Sequence, residues 1–168
     1  MTRGTSVPIT QSIGSIDMGM DVYGLAPANT RGEYFRNNVW WWRPLWDFVG
    51  ESCDLTLEMK RSGHFNDGLQ IDELTARRIA KTLFSLLHDG TVAIYQKNHD
   101  AFLKALPDEE CTHCNGTGVR DDEYVQGECN GCGGAGKVRP FETHYPFSVE
   151  NVAEFAHFCD KSGGFEIC

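Results

Sequence analysis

Four cysteines have the spacing of a metal site. Cys111 and Cys114 form one C-x-x-C pair, and Cys129 and Cys132 form a second pair after fourteen intervening residues. Two pairs at this separation are typical of a structural zinc site, in which four thiolates surround one ion and leave no position for water or substrate. The spacing therefore predicts one Zn²⁺ ion bound by these four residues.

Each cysteine pair continues with two glycines. The pattern C-x-x-C-x-G-x-G therefore occurs twice between Cys111 and Gly136. After the second cysteine of each pair, the chain has to fold back so that backbone N–H groups can point at the sulfurs. Such a turn favours positive φ, which glycine reaches at little steric cost. The matched glycines make the metal interpretation more specific than a lone C-x-x-C would.

Two disulfide bonds are the alternative use of these cysteines. Disulfides need an oxidising compartment, and the sequence shows no recognisable export signal. The total of seven cysteines is odd, so a closed disulfide framework would leave one thiol over. His113 lies inside the first pair, but four sulfurs already complete the site. Cys53, Cys159 and Cys168 have no partner spacing and are predicted to be small buried apolar residues.

The composition describes an acidic chain that can bury a core. Forty percent of its 168 residues are hydrophobic, and ten phenylalanines and four tryptophans are among them. No apolar run approaches the roughly 18 residues of a membrane span, so a soluble cytoplasmic protein is expected. The net charge is −9, and acids outnumber bases between residues 108 and 136. This charge disfavours binding to nucleic acid, because phosphate backbones would be repelled.

The densest aromatic feature holds all four tryptophans, at positions 40, 41, 42 and 46. Trp42, Leu45, Trp46 and Val49 recur at helical spacing, and Pro44 suits the first turn of a helix. Most faces of this helix would be apolar, which indicates a helix inserted into the core.

An alternative interpretation of this segment is an exposed binding face. Tryptophan and arginine are the residues most enriched at the energetic centres of protein interfaces. The candidate face consists of Arg36, Trp40, Trp41 and Arg43. The sequence alone leaves both interpretations open.

The remaining pattern predicts an α+β fold that is predominantly helical, with the zinc lobe inserted at residues 108–140. Residues 54–60 alternate as in a short strand, although they could also be the fraying end of the preceding helix. Helices are predicted at 72–90 and 91–106 as an antiparallel hairpin, and at 149–163 after an N-cap at Ser148. Residues 137–144 are expected to return as a strand, and residues 165–168 to dock on the body. Residues 1–17 are predicted to be a disordered leader, and residues 18–168 a single domain.

The apolar stripe of the helix at 72–90 is expected to consist of Leu74, Ile79, Leu83, Leu86 and Leu87, with Ala76 and Ala80 between them. On the helix at 91–106, the expected apolar side holds Val92, Tyr95, His99, Phe102, Leu103 and Leu106.

Several histidines invite a catalytic hypothesis. His64 and Asp67 lie in a turn-rich loop, His88 is next to a predicted helix end, and His99 falls on an apolar stripe. A turn explains His64 and Asp67, and a core hydrogen bond explains His99. The helix dipole explains His88, so none of these residues requires a catalytic role. No nucleophile accompanies them, so an enzyme is the least favoured class.

The paired C-x-x-C-x-G-x-G units at residues 111–136 resemble the cysteine-rich zinc domain of the DnaJ co-chaperones. That family uses four such units to hold two zinc ions, so the resemblance implies one ion here. The chain contains no His-Pro-Asp triplet, so the chaperone-stimulating activity of the J domain is not implied. Residues 20–24, 33–46, 145–152 and 162–165 resemble small uncharacterised proteins of bacteria and their phages.

These observations favour a zinc-stabilised module that acts through protein–protein contact, as a regulator or inhibitor of bacterial or phage origin. Its partner is an unidentified protein. A nucleic-acid-binding protein that uses tryptophan and arginine side chains is the alternative. An enzyme with a His/Asp site is the second alternative.

Overall fold

The computed structural model describes residues 19–168, so the predicted leader at 1–17 lies outside the described residues. The predicted α+β class is confirmed, because 47% of the described residues are helical and 18% lie in strands. The main elements are β1 (Gly19–Gly24), β2 (Tyr34–Asn38), α1 (Val39–Ser52), α2 (Leu57–Ser62), β3 (Leu69–Ile71), α3 (Glu73–His88), α4 (Thr91–Ala105), β4 (Glu109–Glu110), β5 (Val119–Asp121), β6 (Gln126–Glu128), β7 (Lys137–Val138), α5 (Val149–Lys161) and β8 (Phe165–Ile167). Short 3₁₀ helices span Thr30–Gly32 and Phe141–His144.

The body is built on one antiparallel sheet with the strand order β2-β1-β8-β3. Val22 of β1 lies opposite Phe35 of β2 on one side and Ile167 of β8 on the other. Phe165 and Ile167 are fully buried, and the side chain between them is half-buried, as the period of two requires. The expectation that the C-terminal residues dock on the body is confirmed, because β8 lies inside the sheet.

Helix α1 supplies the largest side chains of the core. The rings of Trp42 and Trp46 stack with centroids 5.4 Å apart, and both side chains are buried. Their indole N–H groups donate to the carbonyl oxygens of Gly63 (2.7 Å) and Lys60 (3.2 Å). The helix begins earlier than predicted, because the Asn38 side chain accepts hydrogen bonds from two backbone N–H groups of its first turn.

The strand expected at residues 54–60 is wrong, because the chain forms α2 there. The hydroxyl of Thr56 accepts a hydrogen bond from the backbone N–H of Met59 at 3.2 Å and caps the new helix. Leu57, which the alternating pattern placed on a buried face, is exposed. The N-cap hydrogen bond therefore determines the conformation of this segment, and the alternation of apolar and polar residues does not.

The helical hairpin is confirmed as α3 and α4, which are joined at Gly90 with φ of 82°. Its burial differs from the predicted stripes. Leu74 is 71% exposed and Phe102 is 58% exposed, while Ala76 and Ala80 are buried beside Ile79. The small alanines are buried because α3 packs closely against α5.

Helix α5 begins as predicted, since the Ser148 side chain accepts from the backbone N–H of Asn151. On its apolar face, Val152, Phe155, Ala156 and Cys159 are buried, and Val149 is partly buried. None of the helices in residues 19–168 is both long enough and apolar enough to cross a membrane.

A substitution at Gly63 tests how closely the end of α2 approaches the Trp42–Trp46 pair. A Cβ atom at this position would lie 2.1 Å from the Trp46 ring, so Gly63→Ala should lower the free energy of unfolding by about 2 kcal/mol or more. Gly50→Ala is the matched control, because its Cβ would meet only the Lys60 side chain at 3.4 Å within a helix that favours alanine. Urea denaturation gives both values. Equal stabilities of the two variants would contradict this packing.

Candidate metal centre

The four cysteines predicted to bind metal lie in a lobe between α4 and α5, which we call the cysteine lobe (residues 108–140). Strands β4 and β7 pair at its base, and β5 and β6 form a second two-stranded ladder at its far end. The cysteines lie in two loops between these ladders. The strand expected at 137–144 is therefore only partly correct, because it ends at Val138 and a 3₁₀ helix follows.

The two cysteine loops have matching hydrogen bonds. In each loop, the carbonyl of the first cysteine accepts from the second cysteine (3.3 Å) and from the glycine two residues further on (3.2 Å). The loops also bind each other, because Cys111 N–H donates to Gly136 O and Cys129 N–H donates to Gly118 O, both at 2.9 Å. The repeated sequence thus folds as two equivalent halves related by an approximate twofold axis.

The four sulfurs have the spacing of a tetrahedral site. They all lie within 4.8 Å of one another. The Sγ atoms of Cys111 and Cys129 are 3.9 Å apart, and those of Cys114 and Cys132 are 3.8 Å apart. A tetrahedral ion with metal–sulfur bonds of about 2.3 Å separates its ligands by about 3.8 Å. The site could therefore hold one metal ion.

Backbone N–H groups point at two of the sulfurs, as the sequence predicts. Gly118 N–H donates to Cys114 Sγ and Gly136 N–H donates to Cys132 Sγ, each at 3.2 Å. Burial raises the pKa of Cys114, but these bonds and the neighbouring thiols outweigh it and lower that pKa to about 7. Burial and the neighbouring thiols raise the pKa of Cys132 to about 11 against the effect of its N–H donor. A bound cation would stabilise the charged forms of these neighbouring thiols.

The second glycine of each repeat is required for two reasons: its φ is positive, and the opposite loop leaves no space for a side chain. Gly118 and Gly136 have φ of 75° and 72°. A Cβ atom on Gly118 would lie 2.3 Å from the carbonyl oxygen of Gly134, and one on Gly136 would lie 2.3 Å from that of Gly116. These glycines therefore let the two loops approach until the sulfurs converge.

The surroundings of the sulfurs are acidic. Arg120 is the single base between residues 108 and 136, and its guanidinium binds Asp122 at 2.6 Å and Asn130 at 3.0 Å. His113 is exposed, and its ring lies over Gly131 instead of joining the four sulfurs.

Arg139 connects the cysteine lobe to the body, and no sequence pattern indicated this role. Its guanidinium donates to the carbonyl oxygens of Leu103 (2.6 Å) and Leu106 (2.7 Å), and it pairs with Asp108 at 3.0 Å. These carbonyls lie at the C-terminal end of α4, where a cation is favoured. Arg139 therefore holds the base of the lobe against the helix that precedes it.

The residues of the predicted binding face fall in two places. The Trp40 ring is half-buried and lies 5.4 Å from Phe141 and 5.2 Å from Tyr145. Arg43 donates to the Tyr145 hydroxyl at 3.2 Å, and its guanidinium lies 5.9 Å from that ring. Trp41 is half-buried on the same helix. Arg36 instead contacts Asp21 of β1 at 3.5 Å, on the outer face of the sheet.

The candidate catalytic histidines each have a different set of partners. His64 Nε2 lies 3.1 Å from the Asp47 carboxylate, and His99 Nε2 lies 2.8 Å from the carbonyl oxygen of Tyr145. His88 occupies the last turn of α3, as expected from the helix dipole. The His64–Asp47 pair joins residues distant in sequence, so no local signal could have indicated it.

The other three thiols differ in burial. Cys53 and Cys159 are buried as predicted, and burial raises the pKa of Cys53 to about 11. Cys168 is exposed, so its predicted burial is wrong. It lies one residue beyond β8, and its backbone exchanges hydrogen bonds with that of Asp21 in β1 at 2.8 and 3.2 Å.

No protein-family model, curated protein sequence or solved structure matches this chain. The resemblance of residues 111–136 to the DnaJ cysteine-rich domain therefore stays a prediction that depends on the repeated C-x-x-C-x-G-x-G pattern. The function has to be inferred from the site and the surface of this chain.

Gly118→Ala tests the close approach of the two cysteine loops. The added Cβ would collide with the Gly134 carbonyl, so we expect at least a tenfold loss of Zn²⁺ affinity in a chelator competition assay. Gly133→Ala is the matched control, because φ is also positive (55°) but nothing lies within 4 Å of its Cβ. In Gly133→Ala, only the strain of alanine at positive φ, about 1 kcal/mol, should lower the Zn²⁺ affinity. Equal affinities in the two variants would contradict the contact.

Proposed function

We propose that this protein is a zinc-stabilised module that acts through protein–protein contact, as a regulatory or inhibitory protein. The convergence of four sulfurs within 4.8 Å, in two matched loops, is the observation that carries the proposal. Thiolate ligands with tetrahedral spacing favour Zn²⁺ among the common divalent ions. When bound, the ion would neutralise the thiolates and hold the two loops together.

The ligand set supports a structural role for the ion. A catalytic zinc keeps one position open for water or substrate, whereas Cys111, Cys114, Cys129 and Cys132 would fill all four. Free thiolates require a reducing compartment, which supports a cytoplasmic location. The resemblance of residues 33–46 and 145–152 to small bacterial and phage proteins is the support for such an origin.

The surface beside the cysteine lobe supports the contact function. Phe141 and Phe102 are 59% and 58% exposed, and the half-buried Trp40 and Tyr145 lie next to Phe141. Aromatic residues with an adjacent arginine, here Arg43, are typical of the centres of protein interfaces. The acidic cysteine lobe would repel nucleic acid, so a protein partner is favoured.

Cys114→Ser tests the zinc assignment. The variant should lose the bound zinc and unfold at least the cysteine lobe, because structural zinc contributes about 10–16 kcal/mol in comparable peptides. Elemental analysis and a thermal melt measure the two effects. Cys168→Ser is the control, since that thiol is exposed and lies outside the site. A Cys114→Ser protein with unchanged zinc content and melting temperature would refute the assignment.

Phe141→Ala tests the contact surface. Affinity purification of tagged protein, from cells that carry its native genome, should recover a partner with the wild type. We expect Phe141→Ala to weaken that partner's binding by about tenfold, because a large exposed ring is removed from the proposed centre. Leu74→Ala is the control, since it removes an exposed apolar side chain from α3. Equal binding by both variants would exclude this surface.

A further inference from the structure

Two clefts lie on either side of Arg43 and Asp47 on the exposed face of α1, and together we call them the groove. The first has a volume of about 420 Å³ and lies between α1, α4 and the Phe141–His144 helix. The second has a volume of about 580 Å³ and lies between α1 and the end of α2. Both clefts are lined by Arg43 and Asp47, so these two residues mark the middle of the groove.

The first half of the groove is apolar. Tyr95, Phe102, Leu103 and Phe141 contribute to its walls, and two of these side chains are more than half exposed. Glu142 is the acid at this end. Such a surface fits a bulky apolar side chain of a bound ligand. Glu142 would repel a ligand carboxylate placed at this end of the groove.

The second half of the groove is cationic. Arg43, Arg61 and His64 line it together with the exposed ring of Phe65. The single acid here, Asp47, already has its carboxylate against His64 at 3.1 Å. Within the described part of the chain, Arg43 binds the hydroxyl and ring of Tyr145, and neither Arg43 nor Arg61 forms an ion pair.

Neither Arg43 nor Arg61 has a carboxylate partner among the described residues, whereas most of the arginines there do. Acids outnumber bases by 24 to 15 in the whole chain. Five arginines among residues 19–168 do pair with one, namely Arg36, Arg77, Arg78, Arg120 and Arg139. Two of the three arginines that do not pair lie in the same cleft. Guanidinium groups are well suited to bind a carboxylate through two parallel hydrogen bonds.

We propose that this groove binds a segment of a partner protein in which a bulky apolar residue lies a few positions from an aspartate or glutamate. The apolar side chain fills the half lined by Phe102 and Phe141, and the carboxylate binds Arg43 and Arg61. The repulsion by Glu142 sets the direction of the segment along the groove. This inference rests on the proposed contact function and names the chemistry of the partner.

The test uses short linear peptides of random sequence, displayed on phage and selected on the immobilised, zinc-loaded full chain. Selected peptides should be enriched in an aromatic or aliphatic residue close to Asp or Glu. Calorimetry on the best peptide should show that replacing its acid with the amide weakens binding about fivefold, as should Arg61→Gln. Combined, the two changes should weaken binding little more than either alone. Arg31→Gln is the matched control, because Arg31 is exposed, forms no ion pair within residues 19–168 and lies in another cleft.

Three results would overturn the inference. One is enrichment of basic or purely apolar peptides, and another is equal binding by wild type and Arg61→Gln. The third is self-association in sedimentation that Arg61→Gln abolishes, since the occupant would then be a second copy of this chain. Binding that Phe141→Ala weakens but Arg61→Gln does not would remove this inference and leave the proposed function intact. Failure to select any peptide, together with no partner recovered from cells, would remove both.

Discussion

The cysteine lobe is built around the convergence of four cysteine sulfurs. Four sulfurs lie within 4.8 Å of one another, so their ionised forms would repel each other unless a cation lay between them. The buried cluster of the lobe contains three cysteines, with only Cys132 and Val138 packed against it. So small an apolar cluster contributes little to folding, and a bound metal would have to supply the missing free energy.

The body has a core of its own, in which α1, α3 and α5 pack with the sheet around Trp42, Trp46 and Phe155. The cysteine lobe leaves this body after α4 and returns at the aromatic segment that begins with Phe141. Arg139 fixes the return point against the end of α4. In this arrangement a bound zinc ion would also position the proposed contact surface, since Phe141 follows Arg139 by two residues.

Local patterns predicted the features that depend on local contacts. The cysteine spacing, the Ser148 cap and the helical hairpin all appear where the sequence placed them. Tertiary contacts decided the rest. Leu74 is exposed because α3 packs through its small alanines, and Arg139 reaches carbonyls more than thirty residues away. The groove depends on Arg43, Arg61 and Phe141, which are far apart in sequence, so no spacing rule could have grouped them.

Native mass spectrometry of the purified full chain is the most direct test of the zinc site. It reports the mass of the folded chain with its bound ions, and denatured spectra of the same sample report the oxidation state of the thiols. The account predicts one zinc ion per folded chain and seven reduced cysteines after its removal. A folded chain without metal, in which Cys111, Cys114, Cys129 and Cys132 form two disulfides, would contradict it.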